Sequence, residues 1–151
     1  MGSANPPQRE GVRSMSRDVI LNKKESLERC IKQAREYFAR PSDVDFREDY
    51  LRQDAIAINL QRATELAIDM ANHVIKDRRL GLPKESRQSF EILEKSGIIP
   101  EELARTLQGM VGFRNILVHE YQKLDIEIMI DIIENRLRDL IDFSNLLLRS
   151  E

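Results

Sequence analysis

The chain is poor in the residues that build cross-linked, cysteine-metal or membrane-spanning proteins. Its 151 residues include one cysteine, Cys30, so no disulfide can close within the chain and no cysteine-type zinc site can be built. A reducing cytoplasm is the simplest setting for such a sequence. Glycine and proline are scarce, at six and five, which points to long elements with few turns. Aromatics make up 5%, so the core must come from Leu, Ile, Val, Ala and Met. No apolar run approaches the roughly 18–20 residues that cross a bilayer. The N-terminus lacks the apolar block of a signal peptide. No phosphate-cradling glycine loop, His-Glu-x-x-His or serine nucleophile elbow is present.

What is there suits one folded domain. Hydrophobic residues reach 41% and charged residues 33%, enough for a core and too apolar for a disordered chain. Residues 1–14, MGSANPPQREGVRS, are rich in Gly, Pro and Ser, and Met15 follows them like a start. They read as a disordered leader or expression tag, which leaves the domain over 15–151. Arg9 and Arg13 against Glu10 give the leader +1, and the whole chain is −2, so the domain carries −3. An acidic domain argues against broad nucleic-acid binding by bulk charge; any such site must be local.

Hydrophobic spacing is helical throughout and no strand pattern survives. Ser16 reads as an N-cap for a helix to about Ala39, with Ile20, Leu27, Ile31 and Ala34 on one face. A second helix spans 49–79 without Gly or Pro, stopped by Leu80-Gly81-Leu82-Pro83. A short one covers 86–95, closed by Gly97. Pro100, Glu101 and Glu102 open a fourth, and Asp125 starts a fifth that runs to about Arg149. The expectation is all-α: an antiparallel up-and-down bundle of about five helices. The last helix is apolar on more than one side, from Ile126 to Ile133. That width fits either a face for a second copy or a central helix covered by its own bundle.

The chemistry concentrates in RNILVHEY, Arg114 to Tyr121, which holds one of the two histidines. At about 100° per residue on one continuous helix, Arg114 and Tyr121 lie within about 20° of each other. Asn115 and His119 share a neighbouring ridge. Arg114 and His119 are about 140° apart, poor for joint work on a straight helix. Either the helix loosens near His119, or Arg and His cooperate through a second subunit. Cutting RNA without metal needs a base for the 2′-hydroxyl, an acid for the leaving oxygen and a cation for the charge on phosphorus. His titrates near neutrality, Arg grips phosphate oxygens in a fork, Asn orients, and Tyr can stack on a base. The residues alone favour a plainer reading: His119 caps the helix's C-terminal end, where a cation is favoured, and Arg114 pairs with a carboxylate.

Arg-Asn-x-x-x-His-x-Tyr, standing as Arg114, Asn115, His119 and Tyr121, resembles the signature of HEPN-domain ribonucleases, in particular the HepT toxin branch. The surrounding MVGFRNILVHEYQKLD and the second-helix stretch QDAIAINLQRATELAIDMANHVI are similar to that branch. The resemblance covers Met15 to the C-terminus. It implies a helical bundle that dimerises, so that two signatures line one cleft. It implies a toxin with metal-independent endoribonuclease activity on tRNA or mRNA, leaving a 2′,3′-cyclic phosphate and a 5′-hydroxyl. No cofactor and no metal are implied. Arg114 and His119 would be catalytic, with Asn115 supporting. The implied partner is an MntA-type nucleotidyltransferase antitoxin that adds AMP units from ATP to Tyr121. An alternative is a non-catalytic HEPN module that binds a nucleotide or a partner.

Other features carry weaker expectations. Glu65, Asp69 and His73 step along one ridge of the second helix, as a metal set, a solvated stripe, or a support in which Asp69 or Glu65 orients Arg114. Asn59 and Arg62 lie one turn earlier and could touch substrate. KDRRLGLPKESR, Lys76 to Arg87, has five cations against Asp77 and Glu85 and could hold RNA phosphates or the partner.

Overall fold

The structure, a computed structural model, describes residues 5–150, with side chains from Met15 onward. Four long or medium helices are α1 (Asn5–Ala39), α2 (Tyr50–Asp77), α3 (Ser86–Lys95) and α4 (Glu101–His119). The last rod is α5 (Ile126–Asp131), a π-helical turn (Ile132–Arg136) and α6 (Leu137–Arg149), which follow one another without a break. Among the described residues there is no strand. Among the described residues no helix is long and apolar enough to cross a membrane.

Cross-helix bonds set the directions. Lys23 of α1 pairs with Asp69 of α2 at 3.9 Å, and Arg52, at the start of α2, donates to the carbonyls of Tyr37 and Phe38 at 3.0 and 2.7 Å. The two helices are therefore antiparallel, and Arg52 satisfies carbonyls that the end of α1 leaves open. Asp49 caps α2, its carboxylate accepting from the Arg52 amide at 3.1 Å. Arg17 reaches the Leu148 carbonyl at 3.1 Å, and Lys24 bonds Asn145, so α6 runs antiparallel to α1. α3 crosses the bundle, held by Ser89 to Asn72 at 2.5 Å and by an edge-on contact of Phe90 with Phe143 at 5.5 Å. The core is aliphatic: Ile20, Leu27, Ile56, Met70, Leu107 and Leu140 are almost wholly buried.

Several boundaries differ from the sequence reading. α1 starts at Asn5, so Ser16 caps nothing; its hydroxyl lies 2.9 Å from His73 Nε2 and donates to Asp77 at 3.3 Å. The first four leader residues lie outside the described residues. α2 stops at Asp77, four residues before Gly81. Arg79 takes the left-handed position at φ 54°, and the Leu80 amide closes onto the Ile75 carbonyl at 2.9 Å. At the end of α3 the same closure uses Gly97, as expected: φ is 76°, and Ile98 donates to Leu93 at 3.0 Å.

The breadth of the last rod has a local cause. The π turn inserts one residue into the helical register, so Met129, Ile132, Ile133 and Leu137 all reach the core. Most of the apolar excess is spent inside its own bundle, while Ile128 stays exposed.

Candidate active site

α4 brings the motif to one end of the bundle. Phe113 and Leu117 point into the core; Arg114 and Asn115 are half-buried; Val118 and His119 are exposed. The helix stays regular to its last residue, because the Glu120 amide still bonds the Ile116 carbonyl at 2.9 Å. No loosening brings His119 round to Arg114. The two remain on different sides of one straight helix.

Arg114 is anchored in an unexpected way. Its Nη2 donates to the Ser86 hydroxyl, in the first turn of α3, at 3.2 Å. Its Nε is buried with no hydrogen-bond partner. Neither Glu65 nor Asp69 orients it. Asp69 pairs with Lys23, Glu65 accepts from Gln61 at 3.2 Å, and both line a groove against α1 with Cys30 and Arg62. The physical reason is rotational: their ridge of α2 faces α1. Burial pushes the Cys30 thiol up, against the opposing charges of Arg62 and Arg29. His73 takes Ser16 as its partner. Among the described residues no group of three or more His, Cys, Asp or Glu is placed to hold a metal ion.

Beyond His119 the backbone turns at Glu120 (φ −143°, ψ 48°) into a 3-10 turn, Tyr121–Lys123. Tyr121 is therefore not on the helix, and the expected alignment with Arg114 on one helical face does not form. The turn instead carries the phenol to the start of α2, where its hydroxyl donates to Asp54 Oδ1 at 2.5 Å. Desolvation first, then the hydrogen bond and charge of Asp54, push the Tyr121 phenol up to about 12.

Asn59 is buried on α2; its amide donates to the Ala55 carbonyl at 2.9 Å, and its Oδ1 has no partner. Arg87 lies over Gly112 of α4, where a Cβ would come within 2.7 Å of its Nη2. Gly112 is seven residues before His119, hence on the same ridge. Of the basic run, Arg87 thus reaches the motif helix. Ser86 and Asp54 escaped the sequence reading. Ser86 carried only a helix-start signal, and Asp54 is one of many surface carboxylates.

The ribonuclease HepT-like family matches residues 27–147. The mRNA nuclease HepT of Shewanella oneidensis is 39% identical over 126 residues, covering 83% of this chain and 93% of that protein. A tRNA nuclease HepT of Aphanizomenon flos-aquae is 36% identical over 66 residues, covering 44% of this chain and 45% of that one. The tri-AMPylated Shewanella oneidensis HEPN toxin, solved in complex with MNT antitoxin, superposes with a TM-score of 0.82 at 37% identity, over 89% of this chain and 98% of that one. The chain belongs to the ribonuclease HepT-like family.

Proposed function

We propose that this chain is the toxin of a toxin–antitoxin pair and cuts RNA without metal. One observation carries the reading: Arg114 holds its guanidinium half-buried, with one Nη on Ser86 and an Nε that has no partner in the fold. A buried polar group left unpaired costs stability, and the fold keeps it at the end of α4 that also carries the exposed His119. The same guanidinium would grip a phosphate oxygen in its fork.

The reaction is attack of the 2′-hydroxyl on the adjacent phosphorus. One His119 takes the 2′-hydroxyl proton, and a second His119 gives a proton to the departing 5′-oxygen. Arg114 neutralises the charge that grows on the non-bridging oxygens. The products are a 2′,3′-cyclic phosphate and a 5′-hydroxyl. One straight α4 cannot aim Arg114 and His119 at a single phosphate, so the site is built by a homodimer with its two-fold axis near the ends of the two α4 helices. Exposed Val118, on the last turn of α4, suits a second copy.

The partner is an MNT-type nucleotidyltransferase antitoxin, which neutralises the toxin by adding AMP to Tyr121. Each AMP adds a negative phosphodiester and bulk beside the place of the RNA backbone. Both mRNA and tRNA fit as substrates, given the names of the two relatives, and the cytoplasm is where either is met. The test is incubation of the purified protein with total RNA in EDTA, with end-group analysis of the fragments. His119→Ala should abolish cutting while the protein melts as before, because the side chain is exposed. Cutting that persists in His119→Ala refutes the catalytic assignment, and sedimentation as a monomer at micromolar concentration refutes the shared site.

A further inference from the structure

We propose that Asp54 is the proton acceptor for adenylylation of Tyr121. This rests on the reading of Tyr121 as the modified residue and adds the group that makes its oxygen reactive. The two residues are 67 positions apart, and the 3-10 turn after α4 brings them together. The phenol hydroxyl donates to Asp54 Oδ1 at 2.5 Å, and Asp54 itself is exposed on the first turns of α2. Leu51 and Ile58 flank it on the same face, at 82% and 40% exposure, so the surroundings of the pair are apolar but open to a visiting protein. Among the described residues no Lys or Arg forms an ion pair with Asp54; Arg52 nearby is taken by Asp49 at 3.6 Å. The carboxylate is thus free to hold the phenol proton.

The chemistry needs such a group. With its phenol pushed up to about 12, Tyr121 carries almost no phenolate at neutral pH. The proton must leave as the new bond forms. In the step, the Tyr121 hydroxyl proton passes to Asp54 Oδ1. The phenol oxygen bonds the α-phosphorus of ATP, supplied by the nucleotidyltransferase. The bond from that phosphorus to the bridging oxygen breaks, and pyrophosphate leaves with the electron pair. Afterwards the aryl oxygen has no hydrogen to donate, and a phosphodiester anion faces a carboxylate. The tether to α2 is lost and the modified side chain is driven off Asp54.

The experiment is an intact-mass time course on the full chain with ATP and the partner nucleotidyltransferase, comparing wild type, Tyr121→Phe, Asp54→Asn, Asp54→Ala and Asp54→Glu. Thermal melting verifies that each variant is folded. Asp54→Asn keeps an acceptor oxygen in place but not its basicity. The expected result is labelling slowed by about 10²-fold or more in both Asn and Ala variants, as for loss of a general base. Asp54→Glu recovers part of the rate. Labelling of Asp54→Asn should rise about tenfold per pH unit, as hydroxide replaces the carboxylate, against a flatter wild-type profile. Wild-type rate and pH profile in Asp54→Asn, even with a slow Asp54→Ala, would reduce Asp54 to a tether and overturn the proposal. Wild type that takes up no AMP, or takes it up away from Tyr121, instead brings down the underlying reading of Tyr121 and this step with it.

Discussion

Replacing Arg114 by methionine separates what the residue does for the fold from what it does for RNA. Methionine keeps an unbranched stem of similar reach and removes the guanidinium. In the fold the guanidinium is close to a liability. Its Nε is buried without a partner, which costs about 1–3 kcal/mol. In return Nη2 makes one 3.2 Å bond to a half-buried hydroxyl, which contributes about 0.5–1.5 kcal/mol. The variant should therefore lie between about 0.5 kcal/mol less stable and about 2.5 kcal/mol more stable than wild type. For a chain near 150 residues, each kcal/mol moves Tm by about 2–4 °C, so the melt should hold or rise by a few degrees. Cleavage should move the other way, because losing one preorganised donor to a developing oxyanion costs about 10²–10³ in rate. Calorimetry and a single-turnover RNA assay in EDTA read the two effects. A variant that melts several degrees lower and still cuts at the wild-type rate would make Arg114 a structural arginine and refute the reasoning.

Three further outcomes follow from local geometry. The Tyr121 phenol holds its proton more tightly folded, at about 12, than unfolded, at about 10. The stability tied to keeping this phenol protonated, from its burial first and its contact with Asp54 second, is therefore complete below about pH 10 and lost as pH rises through about 12. Ultraviolet titration should show the raised value, and Asp54→Ala should lower it towards 10. Arg79→Gly should stabilise by about 1 kcal/mol in denaturant titration, since the left-handed φ of 54° is strained for arginine and free for glycine. Phe143→Ala should cost about 3–5 kcal/mol, because the ring is wholly buried against Phe90.

The bundle was legible because it is written in periodicity. Ile20, Leu27, Ile31 and Ala34 were expected on one face of α1, and all four are buried. Gly97 was expected to end α3, and it holds the left-handed turn. The misreadings have one origin, in that local signals were outvoted by tertiary bonds. Ser16 has the chemistry of an N-cap, but His73 and Asp77 claim its hydroxyl. Gly81 has the chemistry of a helix stop, but the Leu80 amide closes the helix earlier, through Arg79. A π turn is a one-residue slip that leaves no mark in composition, so the breadth of the last rod left open whether a second copy or its own bundle covers it. The motif was visible as residues, but its supports were not. Ser86 lies 28 positions from Arg114 and Asp54 lies 67 from Tyr121, and no periodicity joins such pairs.

The end of α4 explains why one chain would supply an incomplete nuclease. Three reactive side chains leave that end in three directions. Arg114 is drawn to α3 by Ser86, His119 stands exposed on the final turn, and Tyr121 folds back onto α2. Ser86 and Asp54 fix two of these directions and the regular end of α4 sets the third, so no small adjustment of one chain makes them converge. The proposed two-fold axis would solve the problem without moving any of them, by setting the arginine of one copy against the histidine of the other. It also provides two imidazoles, and the proposed reaction uses two, one to accept a proton and one to donate it. A monomer would have to change protonation state within the reaction to do both. In the proposed reading the tyrosine would gain its regulatory sense from position: it sits two residues beyond His119, outside the helix and exposed, so a charge added there would bear on the proposed RNA site without disturbing the core. Separating the copies should therefore abolish cleavage while leaving each bundle folded, and adenylylation should abolish it while leaving the copies together.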